Sequence, residues 1–96
     1  MTRPTRACMK VPSHVVSEEV GGEAVLLNLQ TGNYFALNRT ATRMWQLIRS
    51  GLGADEVCAS VSTEFGVEQD RVEGDYARLL GDLTGRGLLE DASDCA

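Results

Sequence analysis

Ala24-Val25-Leu26-Leu27-Asn28-Leu29, Gln30-Thr31-Gly32-Asn33 and Tyr34-Phe35-Ala36-Leu37-Asn38 follow one another without interruption, and this stretch decides the fold. Two apolar runs flank a turn signal in which Gly32 is free to take positive φ, so the stretch reads as strand, turn, strand. Upstream, Val15 and Val16 are separated from the first run by Gly21-Gly22, a hairpin signal. The result is a three-stranded antiparallel meander. Period-two alternation puts Phe35 and Leu37 on one face of the last strand and Tyr34 and Ala36 on the other. Three strands need a helical layer against one face to be stable, and the rest of the chain supplies it.

Asn38 is a good N-cap, and Ala41, Met44, Trp45 and Ile48 recur at helical spacing before Gly51, which predicts a helix over 39–50 with Trp45 as its core anchor. A second helix is expected over 54–65, with Asp55 and Glu56 at its positive dipole end, Val57, Val61 and Phe65 on one face, and Gly66 as its stop. The third, over 69–86, carries Val72, Tyr76, Leu79, Leu80 and Leu83 on an apolar face and stops at Gly87, after which Leu88 and Leu89 return to the core. The fold class is α+β, three strands followed by three helices. Gly74, Gly81 and Gly85 lie almost opposite the apolar stripe of the third helix, where a solvated face tolerates them. Arg71, Asp75, Arg78 and Asp82 form a flank of alternating sign between the two faces.

Ninety-six residues, 43% of them hydrophobic, make one small domain. A chain of this length buries roughly 60 to 65% of its unfolded surface, enough for a core but not for a deep internal active site. Arg3, Arg6 and Lys10 are the only charges before Glu18, so the six later basic residues face all fourteen acidic ones. Residues 1–13 read as a disordered basic arm, 14–90 as the folded unit and 91–96 as a polar tail. The net charge of −5 disfavours nucleic acid, whose phosphates are held by Lys and Arg. The apolar run from Ala24 to Leu29 is far shorter than the ~20 residues of a membrane span, and no signal-peptide core follows Met1, so a cytoplasmic protein is expected. Cys8, Cys58 and Cys95 are odd in number and widely spaced, which reads as free thiols. With the lone His14 they offer no paired spacing for a metal, and no cofactor is expected. Cys58 lacks a cationic neighbour or a base in sequence, and no nucleophile–base motif occurs elsewhere, so catalysis has no residue to rest on.

Taken in order, the run Val25–Asn38, then Ala41, Trp45, Leu47 and Ile48, then Asp75, Leu79, Leu83 and Arg86-Gly87-Leu88-Leu89 resemble the PqqD family over residues 14–90. The turn Thr31-Gly32-Asn33 with its strand, and Trp45-Gln46-Leu47-Ile48, look more like the discrete members of lasso-peptide gene clusters than like those serving pyrroloquinoline quinone synthesis. The sequence departs from the family pattern at Gly53, where a Ser or Thr cap is usual, and at Tyr76, where a smaller aliphatic is common. The resemblance implies a winged helix-turn-helix-like, non-catalytic domain that captures the leader of a ribosomally made precursor peptide and presents it to a leader protease, cyclase or radical enzyme. It also selects the third strand, Tyr34, Phe35, Ala36 and Leu37, as the edge to which the leader adds. There Leu79 would floor an apolar pocket, and Asp75, Arg78 and Asp82 would read charge. A winged-helix DNA reader is the competing class, and its recognition helix would be acidic: Glu68, Asp70, Glu73, Asp75 and Asp82 outnumber Arg71, Arg78 and Arg86. A third class is a structural partner domain that docks an enzyme through the sheet or the glycine face.

Overall fold

The computed structural model describes residues 9–91, so Cys8, Cys95 and the expected tail beyond Asp91 lie outside the described residues. The elements in order are β1 (Met9–Lys10), β2 (Val15–Val20), β3 (Glu23–Asn28), β4 (Tyr34–Leu37), α1 (Arg39–Arg49), α2 (Ala54–Phe65), α3 (Gln69–Gly85) and β5 (Glu90–Asp91). The meander pairs β2 with β3 and β3 with β4, all antiparallel, so β4 is a sheet edge. Gly21 and Gly22 both have positive φ (63° and 86°), the geometry of a two-residue turn that matches the twist of the strands it joins.

One expectation is corrected. The segment read as an arm through residue 13 is ordered from Met9 onward: Met9 and Lys10 pair antiparallel with Asp91 and Glu90, Val11 packs on the core and Pro12 is buried. Local composition could not reveal this, because the partner strand lies at the opposite end of the chain. The exposed Lys10–Glu90 contact (3.6 Å) adds little to the backbone pairing.

The helices cover one face of the sheet. Trp45, Leu26, Met44, Leu83, Leu88 and Leu89 are its largest fully buried side chains, joined by Val57, Val61 and Val72. Ala41, Phe65 and Leu80, expected on apolar stripes, pack only half-buried at the margin of this core. Gly53 gives α2 no side-chain cap; only the reciprocal half of a capping box is present, its own N–H donating to the Glu56 carboxylate (3.3 Å). The end of α3 is closed twice over: Leu88 N–H donates to the Leu83 carbonyl (2.8 Å) and Gly87 N–H to that of Thr84 (3.2 Å), with Leu83 and Leu88 both buried. That is a Schellman closure, which needs the positive φ of Gly87 (72°).

Two buried polar residues fix how the layers meet. Thr42 of α1 accepts from Ala24 N–H (2.9 Å) and donates to the Leu37 carbonyl (3.3 Å), completing the last β3–β4 rung through its hydroxyl. Asn28, at the end of β3, accepts from Gln30 N–H (2.9 Å) and donates from Nδ2 to the Arg86 carbonyl (3.2 Å). A Cβ on residue 87 would stand 3.0 Å from that Nδ2, a second reason for glycine there. The β3–β4 turn is thereby tied to the end of α3.

Candidate functional site

The register of β4 determines which of its groups are free. Asn28 N–H donates to the Asn33 carbonyl (2.8 Å), which marks that pair as hydrogen-bonded, and alternation makes Leu26–Phe35 and Ala24–Leu37 the next such pairs. Phe35 and Leu37 therefore turn their backbone groups toward β3. Tyr34 and Ala36 turn theirs outward, giving the open edge two N–H donors and two carbonyl acceptors.

Beside the end of this edge, immediately after Leu37, a groove of about 190 Å³ opens between the start of α1 and the middle of α3. Leu79, Met44 and Ala41 supply its apolar lining, and Asn38, Thr40, Asp75, Arg78 and Asp82 its polar lining. Leu79 and Met44 are buried, Asp75 is half-buried, and Arg78 and Asp82 are exposed at the rim. Asn38 is occupied with its cap, its Oδ1 accepting from Ala41 N–H (2.8 Å). A second depression of about 410 Å³ lies at the far end of α3, where Asn33, Gly85, Arg86 and Glu90 meet. Arg86 holds its guanidinium 4.8 Å from the centroid of the Phe35 ring, so the C-terminal end of α3 lies against β4.

The structure thus brings Asp75, Arg78, Leu79 and Asp82 together on one wall. The strand residues do not line that groove: Leu37 is buried, Phe35 half-buried on the core face, and Tyr34 and Ala36 exposed on the opposite face. What β4 contributes is its backbone edge. The α1 wall, Thr40, Ala41 and Met44, was missed as a site by sequence reasoning, although Ala41 and Met44 were visible in the apolar periodicity. Arg86 over Phe35 had no local signal.

Nothing else among the described residues gathers chemistry. Burial pushes the Cys58 thiol above its ordinary range, aided by the nearby carboxylates of Glu73 and Asp55, so it is held in the unreactive protonated form. Tyr76 is pushed up to about 12 by burial, and its hydroxyl has no hydrogen-bond partner among the described groups. Arg43 donates to Glu64 (2.9 Å), and this hydrogen bond holds the carboxyl below its ordinary range while tying α1 to α2. Among the described residues, no three His, Cys, Asp or Glu side chains come close enough to hold a metal ion, and no helix is long and apolar enough to cross a membrane. A Cβ at Gly74, Gly81 or Gly85 would meet nothing within 4 Å, so no described part of the chain approaches the glycine face.

The family profile described as "Coenzyme PQQ synthesis protein D (PqqD)" matches residues 23–89. Among solved structures, the chain is similar to one described as "TbiB1 in Complex with the TbiA(beta) Leader Peptide", with 37% identity, a TM-score of 0.79, and coverage of 84% of this chain and 94% of that one. It is also similar to one described as "Lasso peptide synthetase B1 complexed with the leader peptide", with 26% identity, a TM-score of 0.80, and coverage of 88% and 99%. Comparison with curated protein sequences finds no significant match.

Proposed function

On the premise that this chain belongs to the PqqD family, we propose that it is a non-catalytic module that captures the leader of a ribosomally made precursor peptide and presents it to a modifying enzyme. The recognition domain spans residues 9–91, closed by the β1–β5 pairing, and the lasso-peptide setting is that of one of the two structural relatives. Such a module works in the cytoplasm, where a ribosomal product first becomes available. The observation that carries the reading is the open backbone edge of β4 beside the α1–α3 groove, in a fold shared with two leader-bound proteins.

The mechanism follows from the geometry. An extended leader pairs with the outward groups of Tyr34 and Ala36 and becomes the next strand of the sheet. Alternate side chains then point toward α3, where an apolar one fits against Leu79 and Met44 and a charged one meets Asp75, Arg78 or Asp82. A few backbone bonds worth roughly 1 kcal/mol each only match the ~2 to 5 kcal/mol cost of ordering a disordered peptide. Apolar anchors in the groove supply the surplus.

Calorimetry with the two synthetic halves of its precursor peptide tests the reading: the leader half binds and the core half does not. Equal affinity for both, or no affinity for the leader, overturns it. Asp75→Ala or Arg78→Ala is expected to weaken leader binding by about 1 to 3 kcal/mol, as for a lost charge-assisted contact, with little change in Tm. Amide exchange at Tyr34 and Ala36 slows on leader addition, and protection confined to another surface would place the peptide elsewhere.

A further inference from the structure

The stripe of α3 that walls the groove continues beyond it. Asp75, Arg78 and Asp82 follow one another at spacings of three and four, and four residues further on comes Arg86, so all four project from one side of the helix. Arg86 lies about 10 Å along the axis from Leu79, at roughly 1.5 Å per residue. Its guanidinium stands over the half-buried Phe35 ring, 4.8 Å from the centroid. Leu79 thus floors one end of the slot between β4 and α3, and Arg86 covers the other. The backbone of Arg86 is fixed on both sides, its N–H donating to the Asp82 carbonyl (3.2 Å) and its carbonyl accepting from Asn28 Nδ2 (3.2 Å). Its guanidinium is unspent: among the described residues no carboxylate lies within ion-pair distance of it. Glu90, the acidic residue lining the depression beside it, pairs instead with Lys10 (3.6 Å). Contact with an aromatic ring occupies the face of a guanidinium and leaves its in-plane N–H donors free, in the fork that fits a carboxylate.

We propose that Arg86 is a specificity-determining residue, which takes the carboxylate of a leader Asp or Glu at the end of the slot away from the apolar anchor. The inference rests on the leader-capture reading and deepens it by fixing the chemistry of a second leader position. Strand geometry sets the spacing. A leader strand paired with Tyr34 and Ala36 directs every second side chain toward the helices, about 6.7 Å apart, so the ~10 Å from Leu79 to Arg86 places the acid two or four residues from the anchor. Charge along the stripe holds that register. An acid shifted toward the groove meets Asp82 and Asp75 as well as Arg78, whereas over Phe35 it meets a cation with nothing else to satisfy it.

The test uses the full chain, the synthetic leader of its precursor peptide, and leader variants in which each Asp or Glu is replaced in turn by Asn or Gln. Calorimetry reads affinity and Tm reads folding. Arg86→Gln keeps the backbone bonds to Asp82 and Asn28 and is expected to lose about tenfold or more in leader affinity. One leader carboxylate, two or four residues from the apolar anchor, shows the same loss when made an amide, and the two changes together cost no more than either alone. Arg86→Glu binds the natural leader poorly, and changing that leader acid to Arg restores affinity to within about threefold of wild type. Unchanged leader affinity in Arg86→Gln overturns the proposal, whether or not Tm falls, and leaves Arg86 to the helix dipole and the Phe35 ring. A loss that no leader carboxylate shares overturns it too, as does one that simply adds to the loss from the peptide change. In each of these cases the wild type still binds leader and the leader-capture reading stands; a wild type that binds no leader overturns that reading, and this proposal with it.

Discussion

Tyr76 and Thr42 are buried polar residues with opposite balances. The Tyr76 hydroxyl carries the cost of burial without a protein partner, so Tyr76→Phe is expected to stabilise the domain by about 1 kcal/mol in chemical denaturation. Its titration adds a pH signature. The folded phenol is raised to about 12 from 10.0, so the unfolded chain ionises first; the contribution is fully present below pH 10 and is lost as pH rises toward 12. Denaturation midpoints should fall over that window in the wild type and fall less in Tyr76→Phe. Thr42 bonds at both ends of its hydroxyl, and Thr42→Val leaves a buried N–H and a carbonyl unpaired, for an expected loss of about 1 to 3 kcal/mol. Thr42→Ser restores the bridge and most of the stability. The sequence showed Tyr76 on an apolar stripe but gave no sign of Thr42, because a hydroxyl that completes a sheet rung eighteen residues away leaves no periodicity behind.

Among the elements, α3 carries two duties on two faces. Its buried stripe of Val72, Tyr76, Leu79 and Leu83 holds the core, while Gly74 and Gly81 stand exposed with open space around them. Glycine within a helix costs about 0.5 to 1 kcal/mol relative to Ala, so Gly74→Ala and Gly81→Ala are each expected to raise stability by that amount and to leave leader affinity unchanged. Loss of leader affinity in either would show that the glycine face takes part in recognition. The helices were legible because caps, apolar spacing and glycine stops agreed: α2 begins and ends where expected, and α1 and α3 end within a residue of expectation. The site was half legible. Asp75, Arg78, Leu79 and Asp82 share one wall as a helical flank must, but the opposite wall comes from α1, whose groove residues read from sequence as cap and core.

For the whole molecule, the described structure exceeds the expected domain by one small sheet. β1 and β5 join the two ends of the fold, a pairing that no window of sequence contains. A ligand that binds only the folded chain stabilises it by mass action, by about 2.7 kcal/mol when present at a hundred times its Kd. Leader at that concentration should therefore raise Tm by about 11 to 22 °C in a domain of this size, as about 1 kcal/mol corresponds to 4–8 °C; scanning calorimetry with leader and with core peptide separates the effect from that of added peptide. The open edge of β4 has one more consequence, for the behaviour of the protein in a concentrated solution. The outward groups of Tyr34 and Ala36 will accept any extended strand, including that of a neighbouring molecule, and what keeps neighbours apart is the surplus of carboxylates. Near the isoelectric point of about 4.7 that repulsion vanishes, and edge-to-edge aggregation becomes the failure expected of stocks without leader. A leader strand already seated on β4 occupies those groups, so a neighbour can no longer pair with Tyr34 and Ala36.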